Sequence, residues 1–99
     1  MSEIHIELQG EGRYLLVGEL SFNTVPVISA DFAKMANNTD KIVFDLQGVT
    51  RTDSAGLALL IDWMRSAHHK HKQIVFKNMP SQMLAVATVS ELDDILPLE

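Results

Sequence analysis

The chain has 99 residues, 46% of them hydrophobic, which suits one domain with a single modest core. Its net charge of −5, without a long basic run, argues against nucleic acid as the main partner. Cysteine is absent, which excludes disulfides and thiolate metal sites and fits a reducing compartment.

The N-terminal residues Met1 to Ile6 lack a basic segment followed by an apolar core, so no signal peptide is read there. No apolar run approaches the roughly 20 residues that span a bilayer. A soluble, cytoplasmic domain is expected, with any membrane connection made through a partner. Ile4, Ile6 and Leu8 alternate with His5 and Glu7, the period of a half-buried strand. Gln9-Gly10-Glu11-Gly12 supplies a turn, and Tyr14 to Val17 a second, more interior strand closed by Gly18-Glu19-Leu20, so a hairpin opens the fold. Thr24 is a candidate cap, with Pro26 tolerated in the first turn of the helix that follows. That helix is expected to bury Ile28, Phe32, Met35 and Ala36 and to stop at Asn37-Asn38.

Ile42-Val43-Phe44 reads as a buried strand ending near Leu46, followed by a loop from Gln47 to Thr52. A long helix then starts at Asp53 or Ser54, either of which can accept from the free N–H groups of its first turn. Leu57, Leu60, Ile61 and Met64 follow the i, i+3, i+4, i+7 spacing of one buried stripe. The helix ends in His68-His69-Lys70-His71-Lys72, where cations suit the negative end of the dipole. Ile74-Val75-Phe76 is the next strand, Lys77 to Pro80 a turn, and a third helix carries Met83, Leu84 and Ala87. Leu92, Ile95, Leu96 and Leu98 leave the tail open to a short strand, a helical turn, or both. The order ββαβαβα predicts an α/β fold, a central sheet packed with helices. The strand–helix–strand unit from Ile42 to Phe76 should cross over right-handed, making its two strands parallel.

The centre of the chain carries a family resemblance. Asp45-Leu46, Val49 and Asp53-Ser54-Ala55-Gly56-Leu57 together resemble the signature of STAS domains, the fold of bacterial anti-sigma-factor antagonists. Gly56-Leu57-Ala58-Leu59-Leu60-Ile61, with the short chain, looks closer to the MlaB branch, the small cytoplasmic STAS subunits of Mla-type phospholipid ABC transporters, and the resemblance extends to Val17-Gly18-Glu19-Leu20. The resemblance covers most of the chain and implies a STAS fold with a mixed sheet. It implies a non-enzymatic subunit that binds the ATP-binding subunit of such a transporter, peripheral to the inner membrane, in a system maintaining outer-membrane lipid asymmetry. The alternative it implies is an antagonist that binds an anti-sigma factor kinase and is switched by phosphorylation of Ser54. Ser21 stands where an aspartate is frequent in STAS domains, and Trp63 is bulkier than the aliphatic residue expected there.

The residues assigned to partner binding are Asp53, Ser54, Ala55, Gly56, Leu59 and Trp63. Ser54 has two readings, a phosphoacceptor at a helix N-terminus or a simple cap worth about 1 kcal/mol. The Asp53 carboxylate could hold a partner's N–H or basic side chain, or complement the helix dipole. Gly56 allows close approach, to the neighbouring strand in preference to a partner. Ala55, Leu59 and Trp63 fall on a line away from the Leu57–Met64 stripe and are expected to form an exposed apolar patch. The competing reading has that line covered by the first helix or the tail. Val27 and Ala30, on the outer side of the first helix, could extend the patch. His68, His69 and His71 read as a solvated cationic helix end rather than a metal site. Glycine flanks Ser54 on one side only, no histidine base is placed by pattern, and no GxxxxGK loop occurs. Neither a cofactor nor catalysis is expected.

Overall fold

The computed structural model describes residues 4–37 and 39–99. Strands β1 (Ile4–Gly10) and β2 (Arg13–Leu20) form the expected antiparallel hairpin, paired from Ile4↔Gly18 to Gly10↔Arg13. Strand β3 (Lys41–Thr52) lies parallel to β2, and β4 (Gln73–Lys77) parallel to β3. The result is a mixed four-stranded sheet in the order β1-β2-β3-β4. Burial alternates along it. Leu16, Leu20, Ile42, Phe44, Leu46, Ile74 and Phe76 are buried, whereas Arg13, Leu15, Val17, Val43 and Val75 between them are not. The main core therefore lies on one face, as the period of a strand requires.

The helices cover that face. Between β2 and β3 the expected single helix is three pieces: α1 (Val25–Ile28), a 3-10 turn (Ser29–Asp31) and α2 (Phe32–Ala36). The break falls where the Ser29 carbonyl accepts from the Trp63 indole N–H at 3.4 Å, a side-chain bond that competes with a regular helical ladder. Ile28, Phe32, Met35 and Ala36 are buried as expected. Of the residues assigned to the stop, Asn37 follows α2 directly, and Asn38 lies outside the described residues. Helix α3 (Ser54–His69) joins β3 to β4, and α4 (Ser81–Val89) follows β4.

Several expectations are corrected. The segment Gln47 to Thr52 is strand, not loop, because β3 continues along β2 through Val17↔Gly48, Gly18↔Val49, Glu19↔Arg51 and Leu20↔Thr52. Register irregularities between these pairs break the simple alternation. A Cβ on Gly48 would stand 2.6 Å from the Leu16 carbonyl oxygen, so only glycine lets the two strands approach there. Among the described residues β3 has no partner on the β4 side beyond Asp45, since β4 ends opposite it at Lys77. The Asp45 carboxylate closes that point, with Oδ1 accepting from the Gln47 N–H and from Asn78 Nδ2, both at 2.9 Å.

Leu8 is 69% exposed at the end of β1, and Leu84 is exposed on α4, so neither joins the core. Thr24 stands at the N-cap position of α1 as expected, but its side chain makes no capping bond. Its hydroxyl donates to the Glu19 carbonyl at 2.6 Å and accepts from the Ser21 N–H at 2.9 Å, tying the loop back to β2. The tail makes both a turn and a strand-like contact. Leu96 is buried, and Leu98 bridges Phe76 in parallel, with the Phe76 N–H donating to the Pro97 carbonyl at 2.9 Å.

Candidate functional site

The candidate site lies where β2 and β3 end and α3 begins. Asp53 has an extended backbone (φ −143°, ψ −170°) and is the N-cap of the 16-residue helix α3. Its Oδ1 accepts from the N–H groups of Ala55 (2.9 Å) and Gly56 (3.3 Å), and its carbonyl from those of Gly56 and Leu57. A carboxylate so placed also complements the positive end of the helix dipole. Of the two candidate caps, Asp53 takes the role. Ser54 is exposed as the first helical residue, and its hydroxyl is free of intramolecular hydrogen bonds among the described residues.

The second carboxylate oxygen does different work. Asp53 Oδ2 accepts from the N–H of Phe22 at 3.1 Å, joining the β2–α1 turn to the corner. That turn is also fixed from beneath. The buried Ser21 hydroxyl donates to Glu19 Oε2 at 2.5 Å, and Thr24 holds both Glu19 and Ser21 as described above. Phe22 itself is 76% exposed. Sequence reasoning did not single it out. The signal available was an aromatic set between polar turn residues, belonging to neither flanking periodic pattern.

Gly56 is buried and packs on the neighbouring strand, as expected. A Cβ there would stand 2.5 Å from the Leu20 carbonyl oxygen and 2.6 Å from Thr52 Oγ1. Ala55 is half-buried. The corner accessible from outside therefore consists of Asp53, Ser54, part of Ala55, and Phe22.

The exposed patch of Leu59 and Trp63 is overturned. Leu59 is 4% exposed and Trp63 1%. Trp63 stacks on Phe44 with ring centroids 4.8 Å apart and on Phe32 at 5.9 Å, and Phe32 is supplied by α2. The buried arc of α3 is wider than one stripe, taking in Gly56, Leu57, Leu59, Leu60, Trp63, Met64 and Ala67, because α1 and α4 flank the helix. Ile61 sits at the edge of that arc and is half-buried. The competing reading, cover by the first helix, is the one the structure adopts. Val27 is exposed on α1, but the patch it was to extend does not exist.

His68, His69 and His71 are exposed at the end of α3. Among the described residues, no three His, Asp or Glu side chains converge as a metal-holding group. No helix of the described residues is long and apolar enough to cross a membrane.

A family model described as "Mlab, STAS domain" matches residues 4–97. The chain belongs to the MlaB-type STAS family. Its fold agrees with solved STAS structures. The anti-sigma factor antagonist SpoIIAA in its unphosphorylated form superposes with a TM-score of 0.65 at 20% identity, covering 86% of this chain and 81% of that one. The phosphorylated form of SpoIIAA, a Bacillus cell fate determinant, gives 0.69 at 20% identity, covering 97% and 90%. An anti-sigma-factor antagonist (STAS) domain protein from Planctomyces limnophilus gives 0.74 at 16% identity, covering 98% and 89%. No curated protein matches the sequence. At these identities the structural likeness establishes the STAS fold.

Proposed function

We propose that this STAS domain is a non-enzymatic subunit that binds, and stabilises or regulates, the ATP-binding subunit of an Mla-type phospholipid ABC transporter. The observation that carries the reading is the match to the MlaB family description over residues 4–97. The corner supports it. An exposed carboxylate, an exposed hydroxyl and an exposed aromatic residue meet where the β2–α1 turn is tied to the start of α3. Such a surface suits contact with a folded partner. Binding would favour whichever ATPase conformation the domain holds more tightly, since a partner shifts an equilibrium only by its differential affinity. On this reading the domain sits at the cytoplasmic face of the inner membrane through its partner and serves outer-membrane lipid asymmetry.

The test is affinity purification of the tagged protein from its native host, with mass spectrometry of co-purifying chains and of the Ser54 peptide. The expected result is an ABC ATP-binding subunit with its permease, and an unmodified Ser54. A kinase partner together with a phosphate on Ser54 overturns the transporter reading in favour of an anti-sigma-factor antagonist.

A further inference from the structure

We propose that Phe22 is the anchor by which this domain holds its partner, seated in an apolar socket on the partner's surface. The inference rests on the reading of the Asp53–Ser54 corner as a protein-contact surface and names the residue that supplies most of the affinity there.

Phe22 stands apart from the chain's other large aromatics. Phe32, Phe44, Phe76 and Trp63 are buried in one aromatic cluster, and the half-buried Tyr14 packs against Phe44, whereas Phe22 is 76% exposed. Its exposure is not that of a slack loop. Five consecutive backbone N–H groups, from Ser21 to Val25, are bonded within the chain. Ser21 donates to Thr24 Oγ1, Phe22 to Asp53 Oδ2, Asn23 to Ser21 Oγ, and Thr24 and Val25 both to the Ser21 carbonyl. None of these bonds needs a phenyl ring at position 22, so the hydrogen bonds that tie the turn do not account for the ring.

The energetic consequence follows from the geometry. Aromatic anchors dominate protein interfaces, and holding the backbone in place beforehand leaves only two side-chain torsions to order on docking. The position is equally specific. One Asp53 carboxylate caps α3 at the Ser54 corner through Oδ1 and holds the Phe22 turn through Oδ2, so the Phe22 backbone and the corner share one support. Val27, 66% exposed on α1, adds apolar surface a short way along the chain.

The test replaces Phe22 with photo-reactive p-benzoylphenylalanine in the native host and identifies the crosslinked protein by mass. The affinity of that protein, purified, is then measured against wild type, Phe22→Leu and Phe22→Ala, with thermal unfolding of each variant. The expected result is an adduct with the ABC ATP-binding subunit, a Kd weakened about 30-fold or more by Phe22→Ala and less by Phe22→Leu. Thermal midpoints should change little, because the ring is mostly exposed and lies outside the buried core. An adduct with a different protein whose affinity falls in the same way sustains the anchor and overturns the transporter reading. Binding of Phe22→Ala within about threefold of wild type overturns the anchor whatever the partner. So does a position-22 probe that gives no adduct, or one that crosslinks only to a second copy of this chain, for instance on the apolar groove of α4 lined by Ala85, Val86 and Val89.

Discussion

Replacing Trp63 with alanine separates a core role from an interface role. The indole is 1% exposed, lies between Phe44 and Phe32, and donates to the Ser29 carbonyl. Truncating a buried tryptophan costs about 3–5 kcal/mol, from lost transfer energy and the cavity left behind. A domain of this size holds about 5–15 kcal/mol in all, so the loss is from about a fifth to nearly all of the total. At about 4–8 °C per kcal/mol, the thermal midpoint should fall by at least about 12 °C. Trp63→Phe keeps the stack and loses the long indole hydrogen bond, and should cost only about 1 kcal/mol beyond its smaller volume. Urea unfolding followed by far-ultraviolet circular dichroism measures both. If Trp63→Ala lowers stability by less than about 1 kcal/mol, the stack does not hold α2 against α3, and the covered face assigned to Leu59 and Trp63 is wrong.

Two further substitutions probe the corner itself. Gly56→Ala forces a methyl against the Leu20 carbonyl, a backbone atom that cannot swing aside, and should cost about 1–3 kcal/mol by chemical denaturation. Asp53→Ala removes the α3 cap and the support of the Phe22 turn together, and should cost about 1–2 kcal/mol. Asp53→Asn keeps one acceptor oxygen and, by the same unfolding assay, should recover most of the helix cap. Its partner affinity should remain reduced, because the amide nitrogen cannot accept the second bond.

The parts of the fold legible in the sequence are those governed by one local period. The hairpin around Gly10 and Gly12, the parallel pairing of Ile42–Phe44 with Ile74–Phe76, and the Asp53 cap each follow from a few adjacent residues. Gln47–Thr52 was hidden because its strand character comes from β2 alone, across register shifts that erase alternation. Leu59 and Trp63 were misplaced for a related reason. A helix packed on a sheet beneath and on helices at both flanks buries an arc wider than one stripe, and the position of α1 and α2 cannot be read from α3. At the site, Asp53 and Ser54 were visible as capping chemistry. Phe22 was not, because its link to Asp53 spans 31 residues and runs through a main-chain N–H that any residue type could supply.

The stacked aromatics also have a spectroscopic consequence. The chain has a single tryptophan, and its ring is enclosed between Phe44 and Phe32. Its emission should therefore lie toward the blue and be set by the core. Docking at the Asp53 corner leaves those rings in place, whereas melting wets the indole and shifts its emission to the red. Intrinsic fluorescence is thus a private reporter of folding in this domain, silent toward the partner, and a binding assay at the corner has to carry its own dye.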